Sequence, residues 1–159
     1  SLSFLVLIDI FVWVPFGMLI GYISTKLPKS FLQRNMYPTN GKTIIRLEKF
    51  LKIKSWKDKL PEAGATFDGG VSKKHLTMKT KEGIEAFIIE TRRAEFVHVY
   101  APVICFVYFI YNPWWLAVLM LGICVLLNLP FQLIQRSNRA RCLPILKGRT
   151  FSSKLNTCR

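Results

Sequence analysis

Three apolar segments, which contain none of the chain's 23 lysines and arginines, constrain its fold more than any other feature. They span residues 4–23, 96–111 and 114–135, and Pro15 interrupts the first of them. A transmembrane helix needs about 20 apolar residues, with roughly 17 to 25 as the working range. The first and third segments have this length, and the second reaches it when flanking residues are added. The sequence therefore predicts an all-α integral membrane protein with about three transmembrane helices.

The basic residues predict the orientation of these spans. Sixteen of them lie between the first and second segments and seven lie after the third, in a chain of formal net charge +14. Positive charge marks the cytoplasmic side of a membrane protein. We therefore expect a single membrane domain over residues 1–159, with a basic cytoplasmic or interfacial region at 24–95, a basic cytoplasmic tail at 136–159, and the N-terminus outside.

Two alternatives to this topology stay open. Residues 96–134 can also form a re-entrant hairpin that does not fully cross the membrane. The first segment resembles a signal peptide in hydrophobicity, but it has no basic start and no small-residue cleavage site follows it, so we expect an uncleaved anchor.

The basic region contains a stretch with helical spacing, residues 43–59, in which apolar and basic residues alternate. Such a basic amphipathic helix is typical of segments that lie on an anionic membrane surface. No groove-reading motif accompanies the charge, so nucleic acid is not an expected partner. After a glycine-rich stretch at 61–72, Thr80 begins a second helical pattern, which contains no Gly or Pro between Gly83 and Pro102.

The four cysteines, Cys105, Cys124, Cys142 and Cys158, include no Cys-x-x-Cys pair. Their spacing predicts neither a zinc site nor a disulfide framework, and buried free thiols are the expected state. We expect no metal and no cofactor.

The densest ionisable cluster of the chain lies where the second helical pattern enters the second apolar segment. On a helical wheel His98 lies about 60° from Glu95 and about 80° from Glu90. One carboxylate can then orient the imidazole while the other ring nitrogen accepts a proton, which is the arrangement for general-base activation of a hydroxyl. The alternative is that Glu90 with Arg93 and Arg92 with Glu95 are ordinary surface ion pairs. His75, in a basic loop, is the second histidine.

A polar stripe marks the end of the third segment. Its five residues fall within an arc of about 100° on a helix: Asn128, Gln132, Gln135, Arg136 and Arg139. Lipid does not solvate amides and guanidinium groups, so the stripe is expected to face a protein interior, a water-filled cleft or the headgroup layer. Two interpretations remain, helix–helix contact and, together with Arg141, a clamp for the phosphate of a donor molecule.

These polar positions resemble the glycosyl-4,4'-diaponeurosporenoate acyltransferases, small bacterial membrane proteins of carotenoid biosynthesis. The resemblance extends from about residue 27 to 147 in the same order: WKDKLP at 56–61, His75-Leu76, EAFIIETRRAE at 85–95 with His98, Asn128-x-Pro130, and Gln135-Arg136-x-Asn138-Arg139-x-Arg141. It implies a multi-pass protein of the bacterial cell membrane that transfers a fatty acyl group to a sugar hydroxyl of a glycosylated C30 carotenoid. This reaction belongs to the formation of staphyloxanthin-type pigments.

The expected partners are then membrane lipid, a glycosylated lipid acceptor and an acyl donor, which is acyl-CoA, acyl-carrier protein or a phospholipid. His98 is the expected base, with Glu95 or Glu90 as its orienting group. The expected substrate-binding residues are Arg92, Arg93, Asn128, Gln132, Gln135, Arg136, Asn138, Arg139, Arg141 and His75. Two rival functions are acylation of another lipid-linked acceptor and a non-enzymatic role as a membrane-anchored interaction protein.

Overall fold

The computed structural model describes residues 1–34, 40–56 and 80–146, and every regular element within these ranges is helical. The elements, in chain order, are α1 (Leu2–Lys26), α2 (Lys29–Gln33), α3 (Gly41–Phe50), α4 (Ile53–Trp56), α5 (Lys81–Tyr100), a 3-10 helix (Ala101–Val107), α6 (Tyr108–Tyr111) and α7 (Trp114–Leu146). Three helical stretches are long and apolar enough to cross a membrane, namely Leu2–Lys26, Lys81–Tyr111 and Trp114–Leu146. The predicted all-α fold with three candidate spans is confirmed.

Helix α1 is continuous, so the interruption expected at Pro15 is wrong. Proline removes one backbone donor, whereas ending a helix inside lipid would leave several backbone groups without hydrogen bonds, which is the larger cost. The helix ends at Lys26, because a residue before proline disfavours the helical conformation: Leu27 is extended, and Pro28 is the N-cap of α2.

The basic amphipathic stretch is shorter and less regular than the sequence suggests. Asn40 caps α3 through its side-chain oxygen, which accepts a hydrogen bond from the Lys42 amide at 3.0 Å. The helix ends before Lys52, whose φ of 48° lies in the left-handed region, and α4 follows as a separate turn. The expectation of one helix over 43–59 is therefore wrong at 51–52, and residues 57–59 lie outside the described ranges.

Helix α5 begins and continues as predicted. The Thr80 hydroxyl oxygen caps it by accepting from the Gly83 amide at 3.1 Å. The helix then runs from the basic region into the second apolar segment, and Pro102 lies in the first turn of the 3-10 helix that follows. The side chain of His98 is thereby carried on one unbroken helix with Glu90 and Glu95.

Helices α5 and α7 form the main packed pair of the structure, with an apolar cluster at each end. One cluster joins the start of α5 to the end of α7 and contains Ile84, Phe87, Ile88, Cys142 and Ile145. The other lies near the 112–113 corner and contains Cys105, Tyr108, Ala117 and Cys124. The three described cysteines are buried and form no disulfide with one another, as expected, while Cys158 lies outside the described residues. The polar residues of both helices occupy the length between the two clusters.

Helix α1 is joined to the 112–113 corner by Asp9, which is fully buried. Its carboxylate accepts hydrogen bonds from the Tyr111 hydroxyl at 2.7 Å and from the Asn112 amide at 2.8 and 3.0 Å. The Tyr108 hydroxyl donates to the Asp9 carbonyl oxygen at 2.8 Å. These bonds explain how the one acidic residue of the first apolar segment is accommodated.

A belt of exposed apolar side chains surrounds the helices and defines the surface suited to lipid. In α1 the large exposed apolar side chains extend to Ile23, in the second stretch they begin at Tyr100, and in α7 the last of them is Leu129. The fifteen steps from Trp114 to Leu129 correspond to about 22 Å of helix, most of a hydrocarbon layer of about 30 Å. His98 and Asn128 each lie within two residues of the edge of this belt.

Candidate active site

His98 on α5 and Asn128 on α7 form the contact at the centre of the site. The His98 Nδ1 atom lies 2.8 Å from the Asn128 Oδ1 atom. Asn128 is buried and His98 is half-buried, so the imidazole is held on the protein side and retains access from outside. The sequence predicted that a carboxylate would orient this ring, but the group that meets Nδ1 is the amide of Asn128.

The hydrogen bonds of Asn128 determine the tautomer of His98. The Asn128 Nδ2 atom donates to the Cys124 carbonyl oxygen at 2.8 Å, which turns Oδ1 toward the ring. An amide oxygen only accepts hydrogen bonds, so the hydrogen of the neutral imidazole is on Nδ1. Nε2 therefore carries the lone pair, as a general base requires.

Two further residues of α7 fix the position of His98. The ring of Phe131 stacks on the imidazole with centroids 4.5 Å apart and planes 11° from parallel. The Gln132 side-chain amide donates to the His98 carbonyl oxygen at 3.0 Å. Because Asn128, Phe131 and Gln132 lie at spacings of three and four residues, they share one face of α7. The stripe therefore faces the protein interior, one of its expected environments.

Glu95, one helical turn before His98, is the centre of a buried ion cluster. Its side chain is fully buried, and its two carboxylate oxygens accept hydrogen bonds from Arg136 Nε and Arg139 Nη2, each at 2.5 Å. A buried carboxylate needs such partners, because desolvation of an unpaired charge is costly. The two arginines of the polar stripe on α7 thus contact α5 at Glu95, and the Glu95 carboxylate orients their guanidinium groups.

The neighbouring ionic residues connect α5 to the segments before it. Arg93 pairs with Glu90 one turn away and also donates from Nε to the Ser24 carbonyl oxygen at 3.0 Å. Arg92 Nη1 donates to the Leu32 carbonyl oxygen at 2.8 Å. The Glu90–Arg93 pair foreseen by the alternative interpretation is present, but it is buried rather than solvated. These contacts hold the ends of α1 and α2 against the site.

Arg141 lies in a second, separate ion cluster. It pairs with Glu48 of α3, and the Ser137 hydroxyl donates to the other Glu48 oxygen at 2.5 Å. Glu48 is buried, which anchors the amphipathic helix to the basic end of α7. The structure therefore gives Arg141 a role in docking α3, whereas the sequence grouped it with Arg136 and Arg139.

The remaining predicted site residues divide into two groups. Gln135 and Asn138 are buried on α7, where the stripe faces α5. His75 lies outside the described residues, as do the glycine-rich stretch 61–72 and the tail from residue 147. Within residues 1–34, 40–56 and 80–146 there is no group of three or more side chains suited to hold a metal ion.

Sequence reasoning missed two residues that shape the site. Glu48 is the one acidic residue in an otherwise basic stretch from 41 to 57, and that contrast was a usable indication of a buried partner. Phe131 lies three residues after Asn128, the spacing that places side chains on one helix face. Its aromatic ring in an apolar segment gave no indication by itself of a contact with His98.

The family model described as glycosyl-4,4'-diaponeurosporenoate acyltransferase matches residues 28–148. The chain belongs to this family. A protein of that name from Staphylococcus aureus strain RF122 / ET3-1 is 25% identical over 142 residues, covering 85% of this chain and 84% of the relative. The namesake from strain USA300 is 22% identical over the same shares of the two chains. No solved structure matches significantly.

Family membership establishes the chain as an acyltransferase. The interpretation as a non-enzymatic anchor is thereby disfavoured. The matched residues 28–148 include α2, α3 and the α5–α7 pair, so the partners named above for His98 and Glu95 lie within the region of family similarity.

Proposed function

We propose that this acyltransferase transfers a fatty acyl group to a sugar hydroxyl of a glycosylated C30 carotenoid in a bacterial cell membrane, with its basic end in the cytoplasm. The relatives carry the name of an enzyme acting on glycosyl-4,4'-diaponeurosporenoate. The observation that carries the proposal is the His98–Asn128 contact at the edge of the apolar belt. A polyene and an acyl chain belong inside that belt, and a sugar belongs just beyond it.

His98 is the general base in this proposal. Its Nε2 atom accepts the proton of the sugar hydroxyl as the hydroxyl oxygen attacks the acyl carbonyl carbon. Asn128 is a positioning residue, because it holds the hydrogen on Nδ1 and thereby leaves Nε2 as the acceptor. Transfer is direct within a complex of both substrates, and the proton passes from His98 to the leaving atom of the donor.

Glu95 and Glu90 act through the arginines that they hold. Negative charge develops on the acyl oxygen in the transition state. Hydrogen-bond donors stabilise this charge most when they are already oriented toward it and need not rearrange. Arg93, fixed on Glu90, supplies such a donor, while Arg136 and Arg139, fixed on Glu95 one turn from His98, hold the polar head of the donor molecule. Gln132, Gln135 and Asn138 complete the polar lining of the binding region on α7.

An acceptor panel tests this function. Membranes containing the protein are supplied with lipid donors and, in separate reactions, with a glycosylated C30 carotenoid, a glycosylated diacylglycerol or a free alkyl glucoside, and products are identified by mass spectrometry. We expect an ester on the carotenoid glycoside to form faster than on the other acceptors. A matched control is Tyr100→Phe, an exposed position two residues after His98.

Preferential acylation of the glycosylated diacylglycerol would overturn the carotenoid assignment and favour another lipid-linked acceptor. Equal product from membranes with and without the protein would overturn the proposal as a whole.

A further inference from the structure

The ion cluster around Glu95 contains more positive than negative charge. Arg136 and Arg139 bind its carboxylate, and Arg92 interacts electrostatically with both Arg139 and Glu95. Among the residues that the structure describes, this cluster brings three guanidinium groups to one carboxylate. Because charge is costly to bury without compensation, a cluster of this kind is suited to bind an anion.

Arg139 provides the second observation. Its side chain is 6% exposed, and its Nη1 atom is buried with no hydrogen-bond partner among the described residues. Arginine nitrogens buried in proteins are normally paired, since an unmade hydrogen bond to a charged group is costly. Nη2 of the same guanidinium is already fixed by Glu95, which leaves Nη1 as a preoriented donor.

The cluster also has an open side and a suitable depth. The Arg136 side chain is 28% exposed, so the group of arginines can be approached from outside. All three arginines lie beyond the edge of the apolar belt, which ends at Leu129 on α7 and begins at Tyr100 in the second stretch. Lipid phosphates and soluble phosphorylated molecules are both found at this depth of a membrane.

We propose that Arg139, with Arg136 and Arg92, binds the phosphate group of the acyl donor. A guanidinium matches phosphate oxygens with parallel N–H donors and keeps its charge when buried, which makes arginine well suited to this anion. This inference rests on the proposed function, since it assigns the donor to a cluster one turn from the base. It identifies the donor as a molecule whose acyl group is carried by a phosphate ester.

The possible sources of that phosphate differ in how far the phosphorus lies from the reacting acyl carbon. Along α5 the ion cluster at Glu95 and the base His98 are three residues apart, a rise of about 4.5 Å. Along α7 the residue that contacts His98, Asn128, lies about 12 Å from Arg136 and about 16.5 Å from Arg139. A glycerophospholipid has about five bonds between phosphorus and the nearer ester carbon, or about 6 Å when extended at roughly 1.2 Å per bond. A phosphopantetheine thioester has about fourteen, or about 17 Å. The two donors are therefore distinguished by the product that each releases during turnover, lysophospholipid or free thiol.

With a phospholipid as donor, the reaction is balanced without any further reactant. The sugar oxygen forms a bond to the acyl carbon, and the bond between that carbon and the glycerol oxygen breaks. The proton of the sugar hydroxyl passes to His98 Nε2 and then to the departing glycerol oxygen. The products are the acylated glycoside and one lysophospholipid, whereas a thioester donor would release one free thiol.

Binding to the purified protein in uncharged detergent tests the proposal without any turnover. Calorimetric titrations use three probes, namely short-chain phosphatidylglycerol, coenzyme A and inorganic phosphate. We expect Arg139→Gln to weaken binding of the phosphate-bearing probe by about tenfold to a hundredfold, the effect of one hydrogen bond to a charged group. The control Arg46→Gln removes equal charge from an exposed position of α3 and is expected to change affinity less than about twofold.

Arg136→Gln serves as the second variant, because its partly exposed side chain makes a folding defect less severe than at Arg139. It is expected to lower affinity in the same direction. Equal affinity in the wild type and both variants, or equal losses in Arg46→Gln, would overturn the proposed phosphate site. The probe that binds, together with release of either lysophospholipid or free thiol during turnover, identifies the source of the phosphate.

Failure of the phosphate site is distinguishable from failure of the proposed function. His98→Gln is expected to bind the probes as the wild type does and to lose acyl transfer. Normal binding with no transfer to any acceptor would therefore contradict the function alone. Normal transfer with unchanged binding in Arg139→Gln would contradict the phosphate site alone.

Discussion

Replacing Asn128 with leucine separates the orientation of His98 from its presence. The substitution removes the acceptor at 2.8 Å from Nδ1 and leaves the imidazole in place. The hydrogen bond stabilises the tautomer with hydrogen on Nδ1 by a net of about 0.5–1.5 kcal/mol. Losing this preference therefore lowers the rate roughly fivefold. Loss of ring orientation adds to this. We expect kcat to fall by about 10- to 100-fold, at or below the 10²–10⁴ contributed by a whole general base.

Asn128→Asp is the matched variant, because an aspartate oxygen accepts the same hydrogen from Nδ1. We expect its kcat to stay within about tenfold of the wild type, since the productive tautomer is kept. Both variants are assayed as purified protein with saturating donor and acceptor, and KM is expected to change little. Full activity of Asn128→Leu, or equal losses in the two variants, would refute the assigned role of Asn128.

Two further predictions concern the ion clusters. Glu95→Gln leaves two arginines without their carboxylate, so the free energy of unfolding, measured by detergent titration with tryptophan fluorescence, is expected to fall by about 3–5 kcal/mol. Glu85→Gln, an exposed change on the same helix, is expected to shift it by less than about 0.5 kcal/mol, and equal effects would contradict the structure. Glu48→Gln is expected to increase the rate of amide hydrogen exchange in α3 selectively, because it removes the charged contact with Arg141. An unchanged exchange rate would show that Glu48 does not anchor the helix.

Local features of this fold follow directly from the sequence. Thr80 and Asn40 are favourable N-caps because their side-chain oxygens accept from free backbone amides, although only Thr80 was identified in advance. The polar stripe of α7 was assigned to one helix face, and that face does meet α5. Such features depend on neighbours within one or two turns, which the sequence lists directly.

The long-range pairings could not be read in the same way. A helical wheel places Asn128 and Arg136 on one face of α7, but it does not give the height at which α7 passes α5. This axial register of the two helices determines that His98 contacts Asn128 and that Glu95 binds the arginines. The carboxylate expected beside the imidazole was inferred within α5 alone, where no competing partner was visible. The pairing of Glu48 with Arg141 depends likewise on where α3 packs.

Turnover of His98→Gln tests the central claim most directly. The variant is purified, its folded fraction is measured by its unfolding transition, and kcat is determined with the acylated donor and the glycosylated carotenoid. Glutamine keeps polarity at this position but cannot accept a proton at neutral pH. The account predicts a loss of about 10²–10⁴ in kcat with the unfolding midpoint little changed. A kcat equal to that of the wild type would contradict it.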